Sequence, residues 1–267
     1  MKRTHWFEFE DLSWVPSVVR DGGTDLLDLG FSLTKFYRPL APALVRALDE
    51  SGAERIVDLC SGGGGGALAM HKELAALGRS AVPFELSDRY PNEGARQRLR
   101  AQNLSALEYK SEPVDAMVAP AGDSRALRTM FGALHHFTPE QVRSIFRALI
   151  EARVSFAFFD VAASPALRKL PWLLAPIALS VNMAMLSIAT LALTPLVRPF
   201  RVSRLLLTYV VPLIPALVAW DGTVSALRAY APDELLEIAR SIPGADRYTL
   251  AAEQQGPALS FTAIAPR

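Results

Sequence analysis

The 267-residue chain predicts an α/β fold: a mostly parallel seven-strand sheet with an antiparallel terminal hairpin, plus an apolar helical insertion. Three observations lead there. Short apolar runs alternate with helical patterns between residues 51 and 165, the rhythm of a parallel sheet covered by helices on both faces. One run, Ile56-Val57-Asp58-Leu59, breaks at Cys60-Ser61 into five consecutive glycines, Gly62 to Gly66, and then into a helix-favouring stretch. Two last apolar runs are joined by Gln254-Gln255-Gly256-Pro257, a hairpin-like connection.

The elements follow in order. Residues 1–50 read as mostly helical, with Leu26, Leu29, Leu33 and Phe36, then Leu44, Val45 and Leu48, at helical spacing and Pro39 and Pro42 between them. Strands are expected at 55–59, 81–86, 107–109, 127–134 and 154–161, and helices at 67–77, 94–103 and 139–153. Thr138 is placed to cap the last of these, with Pro139 at its first position. A helix over 233–240 and strands over 248–253 and 258–263 complete the pattern. The expected divisions are a helical N-terminal lid (1–50), a nucleotide-type core (51–165), the insertion (166–220) and the C-terminal part of the core (221–267).

Composition narrows the function. A net charge of +1 gives no general pull toward nucleic acid. Cys60 is the single cysteine, so no disulfide forms within the chain, which fits a reducing cytoplasm. The first twenty residues carry Glu8, Glu10 and Asp11 and lack a signal-peptide core. No metal is expected.

A strand, glycine loop and helix start suit a small cofactor, because glycine lets backbone approach a ligand and the helix start offers unpaired N–H donors. Gly62-x-Gly64-x-x-Ala67 matches a dinucleotide fingerprint, a weak signal inside a glycine run. No Gly-Lys-Ser/Thr follows, which disfavours a phosphate-binding P-loop. The wider pattern resembles the class I S-adenosylmethionine (SAM)-dependent methyltransferases, over residues 53–165 and 220–267. Four segments carry the resemblance in order: Val57-Asp58-Leu59-Cys60-Ser61-Gly62-Gly63-Gly64; Asp88 after the second strand, with Glu85 the weaker candidate; Asp115-Ala116-Met117-Val118-Ala119-Pro120; and Ala133-Leu134-His135-His136-Phe137.

The resemblance implies a Rossmann-like sheet, SAM as cofactor and methyl transfer to a small acceptor. It implies that Asp58 lies near the methionine ammonium, with Cys60, Ser61, Gly62 and Gly64 packing on the ribose and methionine portion. Asp88 would accept both ribose hydroxyls, and Asp115 and Ala116 would meet the adenine. Taken singly, Asp88 and Asp115 also read as turn or helix-capping aspartates. Gly122–Thr129 departs from the family pattern by lacking an acid at the start of the fourth strand. Phe131 is therefore only the best candidate to pack beneath the methyl group. His135 and His136 stand where a general base could face that group; equally, they could wall the pocket or cap a helix. The aromatic N-terminal segment supplies Trp14, Arg20 and Tyr37 as lid candidates, or packs as an ordinary helix. Trp220, Asp221 and Arg228 either touch the acceptor or form a turn and helix start.

From Leu170 to Val197 no charged residue occurs; Arg198, Arg201 and Arg204 follow, and 205–220 is apolar again. The stretch is long enough to span a bilayer, which needs about 20 apolar residues. Yet both its ends must return to one sheet, and a spanning hairpin would carry the arginines across. A helical hairpin is expected instead, lying in the membrane interface, folding over the pocket as a lid, or pairing with a second subunit as a homodimer. Interface and lid readings both suggest a hydrophobic acceptor such as a lipid, quinone, isoprenoid or polyketide-like molecule, in a protein that is cytoplasmic or peripheral on the inner face of the membrane. The alternatives are a non-catalytic membrane-peripheral binding protein on the same fold and a nicotinamide-dependent oxidoreductase.

Overall fold

The structure is a computed structural model that describes residues 3–101, 104–118, 123 and 125–267. In chain order its helices are α1 (Ser17–Thr34), α2 (Ala41–Ser51), α3 (Gly65–Ala76), α4 (Glu93–Ala101), α5 (Pro139–Glu151), α6 (Pro165–Lys169), α7 (Ala175–Leu193), α8 (Val202–Leu205), α9 (Leu213–Arg228) and α10 (Pro232–Arg240). Its strands are β1 (Arg55–Asp58), β2 (Phe84–Leu86), β3 (Leu107–Tyr109), β4 (Ala126–Phe131), β5 (Phe156–Val161), β6 (Thr249–Gln255) and β7 (Ala258–Ile264). The chain divides into two compact units: Met1–Phe36 with Ala163–Ala229, and Tyr37–Ala162 with Tyr230–Arg267.

The second unit holds the sheet, in the order β3-β2-β1-β4-β5-β7-β6. β1 to β5 pair in parallel, and β7 runs antiparallel to both β5 and β6. This is the expected seven-strand architecture with its terminal hairpin. The central strands are largely apolar because both faces are covered; every residue of β4 is buried, Arg128 and Thr129 included. Phe146, Phe156, Phe158 and Phe261 form the aromatic centre of the core, with Phe146 stacked on Phe261 at 4.8 Å. Thr138 caps α5 as expected. Its hydroxyl accepts from Gln141 N at 3.3 Å, while the Gln141 side chain accepts from Thr138 N at 2.8 Å, a capping box.

Some boundaries differ from the sequence pattern. β4 stops at Phe131, not at 134: Gly132 takes a φ of 72°, and Leu134–His136 coil into a single 3-10 turn. β2 begins only at Phe84, after Pro83 has interrupted the run. The expected helix end at Asn103 lies outside the described residues.

The first unit is helical. Val19 and Leu26 of α1 pack with Ile214, Leu217 and Val218 of α9 as its core. Segment 220–225 differs from the expected turn and helix start, since Trp-Asp-Gly-Thr lies in the middle of α9. Gly222 is there because α7 passes close: a Cβ on it would meet Leu186 at 2.9 Å. Asp221 accepts from the N–H groups of Phe9 (2.7 Å) and Glu10 (3.0 Å), which ties the N-terminal segment to α9. Burial pushes that carboxyl up to about 7, against the two N–H donors.

Candidate active site

The site builds on the C-terminal edge of β1, β2 and β4, where a parallel sheet leaves helix starts and loops to face a ligand. β1 ends at Asp58, a carboxylate with almost no exposure. Its two oxygens accept from the Ser61 hydroxyl (2.6 Å) and the Thr129 hydroxyl (2.9 Å). Burial pushes Asp58 up from 3.8 to about 7, against those two donors, with Asp88 adding a smaller push. The loop then turns through Cys60, which holds the left-handed φ of 57° that favours glycine. Burial first, then Asp88, Asp58 and Asp115, push its thiol well above the usual range. Ser61 and Ser87 bridge the ends of β1 and β2: Ser61 N donates to Ser87 O at 2.9 Å, and the Ser87 hydroxyl to Asp58 O at 2.8 Å.

Asp88 follows β2. It accepts from Gly62 N and Tyr90 N, both at 2.8 Å, so one carboxylate holds both the glycine loop and its own turn. Burial raises its pKa, opposed by backbone donors and by His136. Each carboxylate oxygen carries two lone pairs, so both Asp88 oxygens still have capacity to accept from a ligand. Tyr109 of β3 donates its hydroxyl to Gly62 O at 2.7 Å from the other side of the loop. Asp115 sits one residue beyond Val114, whose N–H donates to Asp88 O at 2.8 Å. It accepts from Met117 N at 2.9 Å and faces Arg89 at 3.8 Å. Ala116 is buried at the start of a 3-10 turn; Ala119 and Pro120 of that segment lie outside the described residues.

The helix start is packed tightly. A Cβ on Gly66 would meet Phe131 Cβ at 2.7 Å and the Tyr37 hydroxyl at 3.0 Å. Tyr37 is buried within this unit, edge-on to Phe131, which in turn stacks on Phe159 at 5.3 Å. Gly66→Ala is therefore expected to displace α3 from the end of β4, at a stability loss of about 1–3 kcal/mol. Thermal unfolding of the variant checks this, and an unchanged midpoint would contradict the packing. The loop's outer face is open instead, for a Cβ on Gly62 would meet nothing within 4 Å.

His135 and His136 stand together, ring centroids 4.3 Å apart, in the turn after β4. Asp160, at the end of β5, accepts from His135 N at 2.7 Å and lies 2.8 Å from its Nδ1. A carboxylate only accepts, so this bond assigns the proton to Nδ1 and leaves Nε2 as the nitrogen able to take one. Asp160 and Thr129 are absent from the sequence-derived site. The signal for Asp160 was there: like Asp58, it is an acid ending a buried apolar strand.

The site thus brings together Asp58, Cys60, Ser61, Gly62, Gly64, Asp88, Asp115, Ala116 and Phe131. Trp14, Arg20, Trp220, Asp221 and Arg228 belong to the other unit, where each has partners. Arg228 pairs with Asp11 at 2.8 Å and Glu8 at 3.4 Å, Trp220 donates to Phe7 O at 3.0 Å, and Arg20 donates to Leu12 O at 2.9 Å. Trp14 lies edge-on to Phe9.

The sequence matches no described protein family and no curated protein. Solved structures do match. The O-methyltransferase NcsB1 from neocarzinostatin biosynthesis, in complex with SAM and 2-hydroxy-5-methyl naphthoic acid, aligns over 97% of this chain and 62% of its own, at 15% identity and a TM-score of 0.54. The fold is that of the class I SAM-dependent methyltransferases. Human N-acetylserotonin methyltransferase in complex with SAM aligns over 94% of this chain and 58% of its own (12% identity, TM-score 0.51). An O-methyltransferase family protein from Burkholderia thailandensis does so over 90% and 58% (12% identity, TM-score 0.50). The chain spans about three fifths of the length of these structures. Against this methyltransferase fold, the loop between Asp58 and Gly66 fits SAM in charge. Three carboxylates, Asp58, Asp88 and Asp115, surround a loop that itself contains no Lys or Arg. A pyrophosphate between Asp58 and Asp88 would meet like charge, whereas a sulfonium and an ammonium would relieve the repulsion between these acids.

Proposed function

We propose that the chain is a SAM-dependent methyltransferase acting on a small, hydrophobic acceptor. The observation that carries the reading is the set of three carboxylates, Asp58 buried and Asp88 and Asp115 partly exposed, around an open glycine loop that itself contains no Lys or Arg, an arrangement that recruits a cation. Bound SAM would supply a methyl group on a positively charged sulfur, open to in-line displacement. Asp88 would hold the ribose hydroxyls, Asp58 the ammonium, and Asp115 the adenine amino group. Phe131, anchored on Phe159 and Tyr37, would form an apolar wall that excludes water. His135 is the proposed base. With Nδ1–H donated to Asp160, Nε2 would take the proton from an acceptor hydroxyl, a role that contributes about 10²–10⁴-fold. A hydroxylated, largely apolar acceptor agrees with the naphthoic acid bound in NcsB1.

The pH dependence follows from Asp58. Its carboxyl sits near 7 in the free protein, and a cation favours the ionised form. SAM affinity is expected to rise by up to about tenfold per pH unit below about pH 7 and to level off above it. Asp58→Asn should flatten the profile. Calorimetric titration between about pH 5 and about pH 8 reads this directly. A flat wild-type profile would count against a cation at Asp58. Stability of the free protein runs the same way in protons. The folded chain holds the Asp58 proton between 3.8 and about 7 while the unfolded chain releases it, so stability declines as pH rises through that window.

A further inference from the structure

We propose that the helical unit docks flat on an anionic lipid surface through the outward face of α7. This surface is independent of the methyl-transfer reading. Its first mark is an inverted pattern. α7 contains no charged residue. Asn182 turns toward α9 and donates to the Thr223 hydroxyl at 2.9 Å, and Thr190 and Thr194 are buried. Facing out are Ile177, Val181, Met185 and Ile188, spaced as one helical stripe and each 53–66% exposed. A helix packed on a soluble protein and facing water shows the reverse. Trp172, 77% exposed, and Phe200 continue the apolar surface beyond the two ends of the helix. Apolar surface on this scale marks a place of contact.

Charge selects the occupant. Residues 163–220 include Arg168, Lys169, Arg198, Arg201 and Arg204 and not one Asp or Glu. Arg204 is buried on Asp25, with Arg201 3.6 Å from the same carboxylate. Lys169 just before α7 and Arg198 just after it are exposed. A second copy seated symmetrically on this face would set cations against cations. Anionic headgroups answer them, and aromatic rings at the ends of the stripe suit the same headgroup level.

The geometry also sets the orientation. Trp172–Leu196 is long and apolar enough to cross a bilayer. However, the contacts of Asn182 with Thr223 and of Leu186 with Gly222 put the middle of α7 beside the middle of α9. Asp221 lies at that level, bonded to the backbone of Phe9 and Glu10. A spanning α7 would carry this carboxylate to the bilayer centre, where charge is expensive. Lying in the interface, α7 buries its stripe and leaves Asp221 on the protein side.

Co-sedimentation of the full chain with phosphatidylcholine vesicles, and with vesicles also containing phosphatidylglycerol, tests the proposal. We expect binding to the anionic vesicles at least about tenfold tighter than to the neutral ones, weakening as salt rises. Val181→Glu with Ile188→Glu should abolish it. Lys169→Gln with Arg198→Gln should weaken it about tenfold or more, at about a kcal/mol per cation. All four side chains are exposed, so thermal unfolding should match wild type and separate lost docking from lost folding. No vesicle binding, equal binding to both compositions, or full binding by the Val181→Glu, Ile188→Glu variant would overturn the proposal. A dimer in light scattering that this variant dissociates, without vesicle binding, would assign the face to a second copy instead.

Discussion

Asp88→Ala is expected to weaken binding of S-adenosylhomocysteine, the demethylated product, by about a hundredfold or more. Two hydroxyl donors on one carboxylate are worth about 1.5–3 kcal/mol each when the acceptor is charged, and the substitution removes both acceptors. It also releases Gly62 N and Tyr90 N, so the glycine loop loses its tie to the end of β2. Asp88→Asn keeps one amide oxygen to accept from the backbone, and should fall between wild type and alanine. Calorimetry on variants with wild-type thermal unfolding checks the ordering. Binding undiminished in Asp88→Ala would remove this residue from the cofactor site.

His135→Ala is expected to lower kcat by about 10²–10⁴-fold with S-adenosylhomocysteine affinity unchanged. A phenolic acceptor that the wild type turns over provides the assay. In this proposal Asp160 would act through the histidine, as a positioning residue. Asp160→Asn offers Nδ1 an amide that can donate, which favours the opposite tautomer and puts the proton on Nε2. The expected result is a fall in kcat with little change in KM and a displaced acidic limb in the pH profile. A merely structural Asp160 would instead lower stability and leave the pH profile in place. Full activity in His135→Ala would pass the proton-transfer role to His136 or show that the acceptor needs no base.

Much of this was legible in the sequence for local reasons. Strand period, the glycine run and an acid closing an apolar strand are short-range signals, and β1, α3, the terminal hairpin and the Thr138 cap all follow from them. The misreadings are where distant residues decide. Trp220-Asp221-Gly222-Thr223 carries turn chemistry, yet it is helical, because Gly222 admits Leu186 of α7 and Asp221 holds the backbone of Phe9 and Glu10. Leu134 continues an apolar run, yet β4 ends before it, because Gly132 turns the chain and Asp160 captures His135 N. The outward stripe of α7 was visible only as excess hydropathy; which side it faced required Asn182 to be seen bonding inward to Thr223.

The central claim is that the carboxylate-lined loop binds the SAM scaffold, and titrating the folded wild-type chain separately with S-adenosylhomocysteine and with NADH tests it most directly. Saturable binding of S-adenosylhomocysteine, with none of NADH, is the predicted result. No binding of S-adenosylhomocysteine, or tighter binding of NADH, would contradict the account.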